Sequence, residues 1–349
     1  MFMDRQKLHT GVAYHGNRMP SHAAEDLKKI AAAGMDTVVH MFSHTDWDRN
    51  TDACADIFKM SADLGLDVWV DNWGLGGPPG DISRFTAAYP DAHMYLSNGK
   101  MMPYTACLNS PDFRAFVKSW VDKVVSMGAK TIFWDEPNLP SKGAGTGLVY
   151  GCACKRCKKL FSEKYGYEMP VLMNEDAQEF RTDTIVDFLR EVTDYSASAG
   201  IYNTVCVMLG EGIGINLDTI DRICSLKNLH NIGSDPYWIG TGIDPYKYVY
   251  EGTKKNLTIS EKFGKDHNIW IQTYANKRGT EEDIVLATEA AYDAGARTIL
   301  TWSYMAGESN NYRSDDPAKV WNITVEAMRR IRDMERDRIL EEKRKLYRK

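Results

Sequence analysis

Two adjacent carboxylic acids follow an apolar segment near the middle of the chain. Residues 131–134 read Thr-Ile-Phe-Trp, a run typical of a buried strand, and Asp135 and Glu136 come directly after it. Barrel enzymes place catalytic acids at the C-terminal ends of their strands. We therefore predict that Glu136 is a general acid, with a pKa raised by neighbouring aromatic residues, and that Asp135 supports it. Since a proline disfavours the helical conformation of the residue before it, Pro137 predicts an extended backbone at Glu136.

Four cysteines form the second group of residues that could carry chemistry. Cys152, Cys154 and Cys157 have the spacing C-x-C-x-x-C, and Cys107 lies in the preceding connection between predicted elements. A structural zinc ion takes four ligands in a tetrahedron, and four thiolates leave no open position for a substrate. We predict a structural Zn²⁺ on these four cysteines and no organic cofactor.

The elements that must position these residues follow one repeated pattern. An amphipathic helix, a glycine and a β-branched run recur, and the glycine suits the left-handed residue that closes a helix. The five glycines of this pattern are Gly34, Gly65, Gly128, Gly200 and Gly295. Three further strands are predicted at residues 11–15, 231–234 and 268–273. Alternating helices and short buried strands indicate a parallel sheet, and eight such units indicate an α/β protein with a (β/α)8 TIM barrel. An open doubly wound sheet is the alternative, but no G-x-G-x-x-G sequence follows the first strand.

The predicted organisation is a single barrel domain over residues 1–349. Long connections are predicted after the third strand, at residues 71–110, and after the fourth, at residues 136–182. Long connections in a compact domain are usually functional. The zinc site would hold together the loops of about residues 100–165. The charged segment at the end of the sequence is predicted to form a helix over about residues 317–349.

The segment from Cys107 to Arg114, the strand that ends in an acid and the cysteine spacing together resemble the catalytic barrel of family 42 of the glycoside hydrolases, the β-galactosidases. The resemblance is specific over roughly residues 100–165. It implies that the four cysteines bind a structural zinc ion and that Glu136 matches the family's general acid/base. Asp135 stands where the family has asparagine. Gln272 stands where the family has its nucleophilic glutamate, at the end of the seventh strand. The resemblance therefore implies a divergent relative within the wider group of barrel glycosidases.

Glycoside hydrolysis normally uses two carboxyl groups, one protonated and one ionised. Asp235, which ends the predicted sixth strand and precedes a proline, is the first candidate for the partner of Glu136. Glu211, beyond the predicted fifth strand, is the second.

Sugars bind to aromatic faces with polar groups around the rim. The predicted carbohydrate contacts at strand ends are Tyr14, His40, Asp71, Trp73, Tyr237, Trp238, Gln272 and Trp302. His40 is equally compatible with an ordinary packed histidine.

Bulk properties narrow the expected partners. The net charge of -5 lacks the excess of basic residues that is typical of proteins that bind nucleic acid. No apolar run approaches the roughly 20 residues that span a bilayer. The odd number of cysteines, seven, fits a reducing compartment better than a disulfide framework, so we expect a cytoplasmic protein. A carbohydrate substrate is expected, and homo-oligomerisation is left open.

Two other functions stay open at this point. Acids at several strand ends with His40 nearby would suit Mn²⁺ or Mg²⁺ in a sugar isomerase or epimerase. Gln272, in place of the expected nucleophile, suggests a carbohydrate-binding barrel without catalysis.

Overall fold

A computed structural model describes residues 7–72, 83–142, 147–209 and 217–347 of the chain. The described residues form twelve strands. They are β1 (His9–Tyr14), β2 (Thr37–Met41), β3 (Asp67–Asp71), β4 (His93–Tyr95), β5 (Met101–Ala106), β6 (Thr131–Trp134), β7 (Ser141–Lys142), β8 (Val149–Tyr150), β9 (Tyr202–Cys206), β10 (Asn231–Ser234), β11 (Asp266–Gln272) and β12 (Thr298–Trp302).

Eight of these strands close into a parallel barrel, in the order β1-β12-β11-β10-β9-β6-β3-β2. The register of β1 pairs Val12 with Val38 of β2 and with Thr301 of β12. The predicted (β/α)8 barrel is therefore confirmed. Two small antiparallel pairs, β4 with β5 and β7 with β8, lie in the long connections that the sequence predicts after the third and fourth barrel strands.

Helices lie between the strands and after the last one. They are α1 (Pro20–Ala32), α2 (His44–Arg49), α3 (Thr51–Asp63), α4 (Ser83–Ala88), α5 (Pro111–Ser126), α6 (Lys155–Tyr165), α7 (Glu175–Ser198), α8 (Leu217–Cys224), α9 (Pro245–Phe263), α10 (Asp283–Asp293) and α11 (Pro317–Tyr347), with short 3-10 helices at Pro90–Ala92 and Tyr304–Gly307. Within the described ranges, none of these helices has the length and apolar character that crossing a membrane requires.

The fifth barrel strand lies three residues earlier than its apolar run predicts. The run at residues 205–209 predicts the strand there, whereas β9 spans Tyr202–Cys206. Asn203 explains the difference, because its buried amide accepts hydrogen bonds from Trp134 Nε1 at 2.9 Å and from Ser196 Oγ at 2.7 Å. A polar side chain with its hydrogen bonds satisfied is tolerated inside a strand.

The chain divides into two compact units. Unit 1 comprises Met1–His40, Asp56–Trp69 and Ile232–Lys349. Its core joins buried residues of the strands, such as Ile269 and Ile299, to buried residues of the helices, such as Leu27.

Unit 2 comprises Met41–Ala55 and Val70–Asn231. Its α5 and α7 pack through Phe113 and Phe188, whose rings are stacked with centroids 5.8 Å apart. Both the acidic pair and the four cysteines lie in unit 2. The prediction that residues 1–349 form a single domain stays a prediction.

Helix α5 begins at a capped N-terminus. Ser110 is its N-cap, and the hydroxyl accepts a hydrogen bond from the Phe113 N–H at 3.4 Å, with Pro111 in the first turn. We expect Ser110→Ala to lower the free energy of unfolding by about 1 kcal/mol, because one N-terminal amide loses its partner. Denaturant unfolding measures this loss. Ser119→Ala, at an exposed position of the same helix, is the control, and equal losses in both variants would contradict the cap.

Candidate active site and cysteine cluster

The end of β6 is held rigidly in unit 2. Trp134 is fully buried, donates its indole N–H to Asn203 and packs against Trp120 with ring centroids 6.2 Å apart. Asp135 and Glu136 follow at once, and both residues are partly exposed, although protein encloses the Asp135 carboxyl group. A well-packed strand therefore presents two carboxyl groups at its C-terminal end, as the sequence predicts.

The backbone at Glu136 corrects one prediction. Its φ is +36°, in the left-handed region, so the expected extended conformation is wrong. Trp134 ends the strand, and the chain must turn away from β6 within two residues. Because Pro137 disfavours the right-handed helical conformation at Glu136, the turn uses the left-handed one. Such a conformation costs a residue other than glycine about 1–3 kcal/mol and is concentrated at functional sites.

The two carboxyl groups differ in their surroundings. Burial, and next the negative charge of Glu136, raise the pKa of Asp135 from its ordinary value of 3.8 to about 8. A carboxylic acid in a poorly solvated site stays protonated because its charged form loses hydration. Burial therefore favours the retention of one proton by this carboxyl pair, in which Asp135 stands where the resembled family has asparagine.

A pH-dependent stability follows from the raised pKa of Asp135. The stability that this group contributes is complete below its unfolded value of 3.8 and is lost as the pH rises through its folded value of about 8. The side chain in Asp135→Asn cannot ionise. We therefore expect the melting temperature of this variant, minus that of the wild type, to increase as the pH rises from 5 to 8 and to stay constant above pH 8. Calorimetry across this range measures the difference. A constant difference would show that Asp135 ionises normally in the folded protein.

The four predicted cysteines come together in unit 2. Their Sγ atoms lie within 4.8 Å of one another, and all four side chains are buried. Cys107 follows β5, Cys152 follows β8, and Cys154 and Cys157 lie at the start of α6. The Sγ of Cys107 is 3.4 Å from that of Cys157 and 3.6 Å from that of Cys154. Sulfur atoms about 2.3 Å from a central zinc ion would lie ~3.8 Å apart, so the cluster has the size that a tetrahedral metal site requires.

The cluster also has partners around it. Asn109 Nδ2 donates to the Cys157 sulfur at 3.5 Å and to Thr184 Oγ1 at 3.1 Å. Ligands of metal sites are commonly oriented by such outer hydrogen bonds. The donor set, its burial and its support fit a metal ion that prefers thiolates.

The partner candidate Asp235 lies in unit 1. It directly follows β10, is partly exposed, and starts a tight turn in which the Tyr237 N–H donates to its carbonyl oxygen at 2.6 Å. Tyr237 is partly exposed and meets Tyr274 edge to face at 5.4 Å, whereas Trp238 is buried.

Gln272, at the end of β11, is 3% exposed and uses both ends of its amide. The Ile239 N–H donates to its Oε1 at 3.2 Å, and its Nε2 donates to the Tyr274 carbonyl at 3.4 Å. The side chain thus joins the segments that follow β10 and β11. An amide engaged in this way holds loops and carries no nucleophilic carboxylate.

His40 and Tyr14 lie in the packed interior of unit 1. His40 is 2% exposed, its Nε2 is 2.9 Å from Ser61 Oγ, and burial lowers its pKa to about 3. Tyr14 is fully buried and donates its hydroxyl hydrogen to Asp26 at 2.9 Å. Both side chains support the strand ends through packing, and their predicted contact with sugar stays a prediction.

The remaining predicted contacts differ in accessibility. Trp302 is partly exposed, and its ring meets that of His15 at 4.5 Å. Asp71, at the end of β3 in unit 2, is fully buried. Two predicted residues, Trp73 and Glu211, lie outside the described residues.

The sequence did not predict two residues, Asn109 and Arg181, whose side chains hold the cysteine cluster and the loops beside the site. Asn109 carries no motif that marks it as a partner of Cys157, although it lies two residues after Cys107. Arg181, on α7, is buried and donates hydrogen bonds to the carbonyl groups of Leu139 and Gly151, one in each loop beside the site. Nothing in the local sequence distinguishes it from a surface arginine of a helix.

No family model matches this chain, and no curated protein matches it. Among solved structures, the chain is similar to a β-galactosidase from Bacillus circulans sp. alkalophilus, with a TM-score of 0.70 and 14% identity over 94% of this chain and 56% of that one. It is also similar to a family 42 β-galactosidase from G. stearothermophilus, with a TM-score of 0.68 and 13% identity over 95% and 57%.

The catalytic domain of a β-amylase from Paenibacillus polymyxa matches over nearly its whole length. Its TM-score is 0.64 at 8% identity, over 92% of this chain and 98% of that domain. This chain spans a little over half the length of the two β-galactosidases. The resemblance to the family 42 barrel is confirmed at the level of the fold, which this chain shares with several TIM-barrel glycoside hydrolases.

Proposed function

We propose that this protein is a glycoside hydrolase in which Glu136 donates a proton to the departing oxygen of a glycosidic bond. The observation that carries the proposal is the carboxyl pair at the end of β6, where the neighbouring Asp135 has a pKa raised by burial. Burial of one member keeps a proton on the carboxyl pair near neutral pH, and in this proposal Glu136 transfers that proton to the departing oxygen. The structural neighbours, which include β-galactosidases and a β-amylase, support a carbohydrate substrate.

The second carboxylate in this proposal is Asp235, with Glu211 as the next candidate. Asp235 follows a barrel strand directly and is partly exposed, whereas Gln272 is an amide committed to holding loops. Ionised Asp235 would stabilise the positive charge that develops on the sugar or act on the water that attacks it. The partly exposed Tyr237 and Trp302 are the aromatic side chains that we propose to contact the sugar.

We propose that the four cysteines hold a structural Zn²⁺. Four thiolates complete a tetrahedral shell, so the ion would order the loops that follow β5 and β8 and would take no part in the reaction. Four of the seven cysteines are the proposed zinc ligands, and thiolate ligands persist in a reducing compartment, which supports the proposed cytoplasmic location. We propose a carbohydrate as the partner, and neither nucleic acid nor a membrane.

Release of nitrophenol from a panel of α- and β-nitrophenyl glycosides tests the proposal. Turnover of at least one glycoside, unaffected by a brief exposure to a chelator that removes weakly held Mn²⁺ or Mg²⁺, is the expected result. A sugar isomerase would instead need such an ion, through oxygen and imidazole ligands. Within residues 7–72, 83–142, 147–209 and 217–347, the potential ligands that cluster are cysteines. Tight binding of sugar without any turnover would favour the carbohydrate-binding barrel.

A further inference from the structure

We propose that Arg181 is a positioning residue, which clamps the loop that carries Glu136 to the loop that carries Cys152. The metal cluster and the acid would then be held as one assembly within unit 2. The proposal rests on the proposed role of Glu136 as proton donor.

The geometry of the guanidinium group carries this inference. Arg181 lies on α7 and is 1% exposed. Its Nε donates to the Gly151 carbonyl at 3.0 Å, and its Nη2 donates to the Leu139 carbonyl at 2.6 Å. Gly151 directly precedes Cys152, and Leu139 lies three residues after Glu136. One side chain therefore binds the backbone on both sides of the connection between the acid and the cluster.

The two carbonyl groups lie at the base of a small hairpin. The Gly151 N–H donates to the Pro140 carbonyl at 2.8 Å, and Ser141 of β7 pairs with Tyr150 of β8. Two strands of two residues each supply few ladder hydrogen bonds, and an isolated hairpin is marginally stable at best. The Tyr150 carbonyl also accepts a hydrogen bond from the Ser97 N–H at 2.7 Å. Arg181 adds the hydrogen bonds that join Leu139 to Gly151, at the end of the hairpin where the acid and the cluster begin.

The guanidinium group is itself oriented. Its Nη1 donates to Gln178 Oε1 at 3.1 Å, one turn earlier on α7, and to Met173 Sδ at 3.6 Å. Arginine offers its donors in a rigid planar fork, whereas lysine offers a single charged point on a flexible stem. Lysine at position 181 would keep the positive charge but would not reach both carbonyl groups in this geometry.

Arg181→Lys tests the proposal through kinetics and metal content measured together. We expect kcat to fall by about 10- to 100-fold, since a small misplacement of a catalytic group has effects of this size, while KM changes by less than about twofold. Zinc per chain should stay as in the wild type. Arg190→Lys, the same substitution at an exposed position of α7, is the matched control. Equal kcat values in the two variants would overturn the proposal.

Hydrogen exchange provides a readout that does not depend on the reaction. We expect faster exchange in peptides that contain Tyr150 and Gly151 in Arg181→Lys and unchanged exchange there in Arg190→Lys. Unchanged exchange in both variants would show that Arg181 does not clamp the loops. Absence of turnover in the wild type, with the expected exchange result, would instead contradict the proposed function and leave the clamp supported.

Gln178→Ala covers the case in which Arg181→Lys fails to fold. Gln178 is partly exposed, so its removal leaves the core intact but releases one hydrogen bond that orients the guanidinium group. We expect a smaller fall in kcat and a smaller rise in exchange at Gly151, in the same directions. Wild-type values for both quantities would overturn the clamp.

Discussion

Glu136→Gln is expected to lower kcat/KM for a glycoside with an unactivated alkyl leaving group by about 10²- to 10⁴-fold, the range that general acid catalysis supplies. Glutamine has nearly the shape of glutamate but no proton of comparable acidity to transfer. The substitution leaves Trp134 and the strand end in place, so the loss would come from the chemistry. Steady-state hydrolysis of the alkyl glycoside of the sugar that the nitrophenyl panel identifies measures this loss.

The control for this variant is Glu163→Gln, the same change at an exposed position of α6. We expect its kcat/KM to equal that of the wild type. The melting temperature of Glu136→Gln should stay close to that of the wild type, since the side chain is partly exposed. Wild-type kinetics in Glu136→Gln would remove this residue from the reaction.

Loss of the proposed zinc ion is expected to have the largest effect on stability. We expect one zinc per chain in the purified protein and less than about 0.1 in Cys157→Ser, because three thiolates and a hydroxyl bind the ion far less tightly. An ion present at 1,000 times its dissociation constant stabilises the folded state by about 4 kcal/mol. The melting temperature of Cys157→Ser should therefore fall by about 5 °C, since the unfolding entropy of a chain of 349 residues is large. Elemental analysis and calorimetry measure the two quantities.

Cys224→Ser is the matched control for the metal site. Cys224 is buried in α8 and stands outside the cluster. We expect this variant to keep its zinc, whatever its own cost in packing. Equal zinc content in Cys157→Ser and Cys224→Ser would contradict a metal site on the four cysteines.

The barrel was predictable because its signals are local. The glycine after each helix, the β-branched run that follows and the cap at Ser110 each depend on a few neighbouring residues. The cysteine cluster was predictable for a similar reason. Three of its members lie within six positions, and so close a spacing of cysteines is a local pattern typical of metal sites. These features need no knowledge of the tertiary structure.

The errors and omissions arise where distant residues decide. The start of β9 depends on the hydrogen bonds of Asn203, one of which comes from Trp134, 69 positions earlier. Arg181 reaches Leu139 and Gly151 across 42 and 30 positions. The left-handed backbone of Glu136 reflects the path that the chain must take after β6, which the preference of a residue before proline does not determine. No window of sequence contains this information.

The dependence of the Glu136→Gln effect on the leaving group tests the central claim most directly. A 2,4-dinitrophenolate leaves without protonation, whereas an alkoxide needs a proton donor. Relative to the wild type, we expect Glu136→Gln to lose less than about tenfold in kcat/KM with the dinitrophenyl glycoside and at least about 100-fold with the alkyl glycoside of the same sugar. An equal loss with both substrates would contradict the assignment of Glu136 as the proton donor.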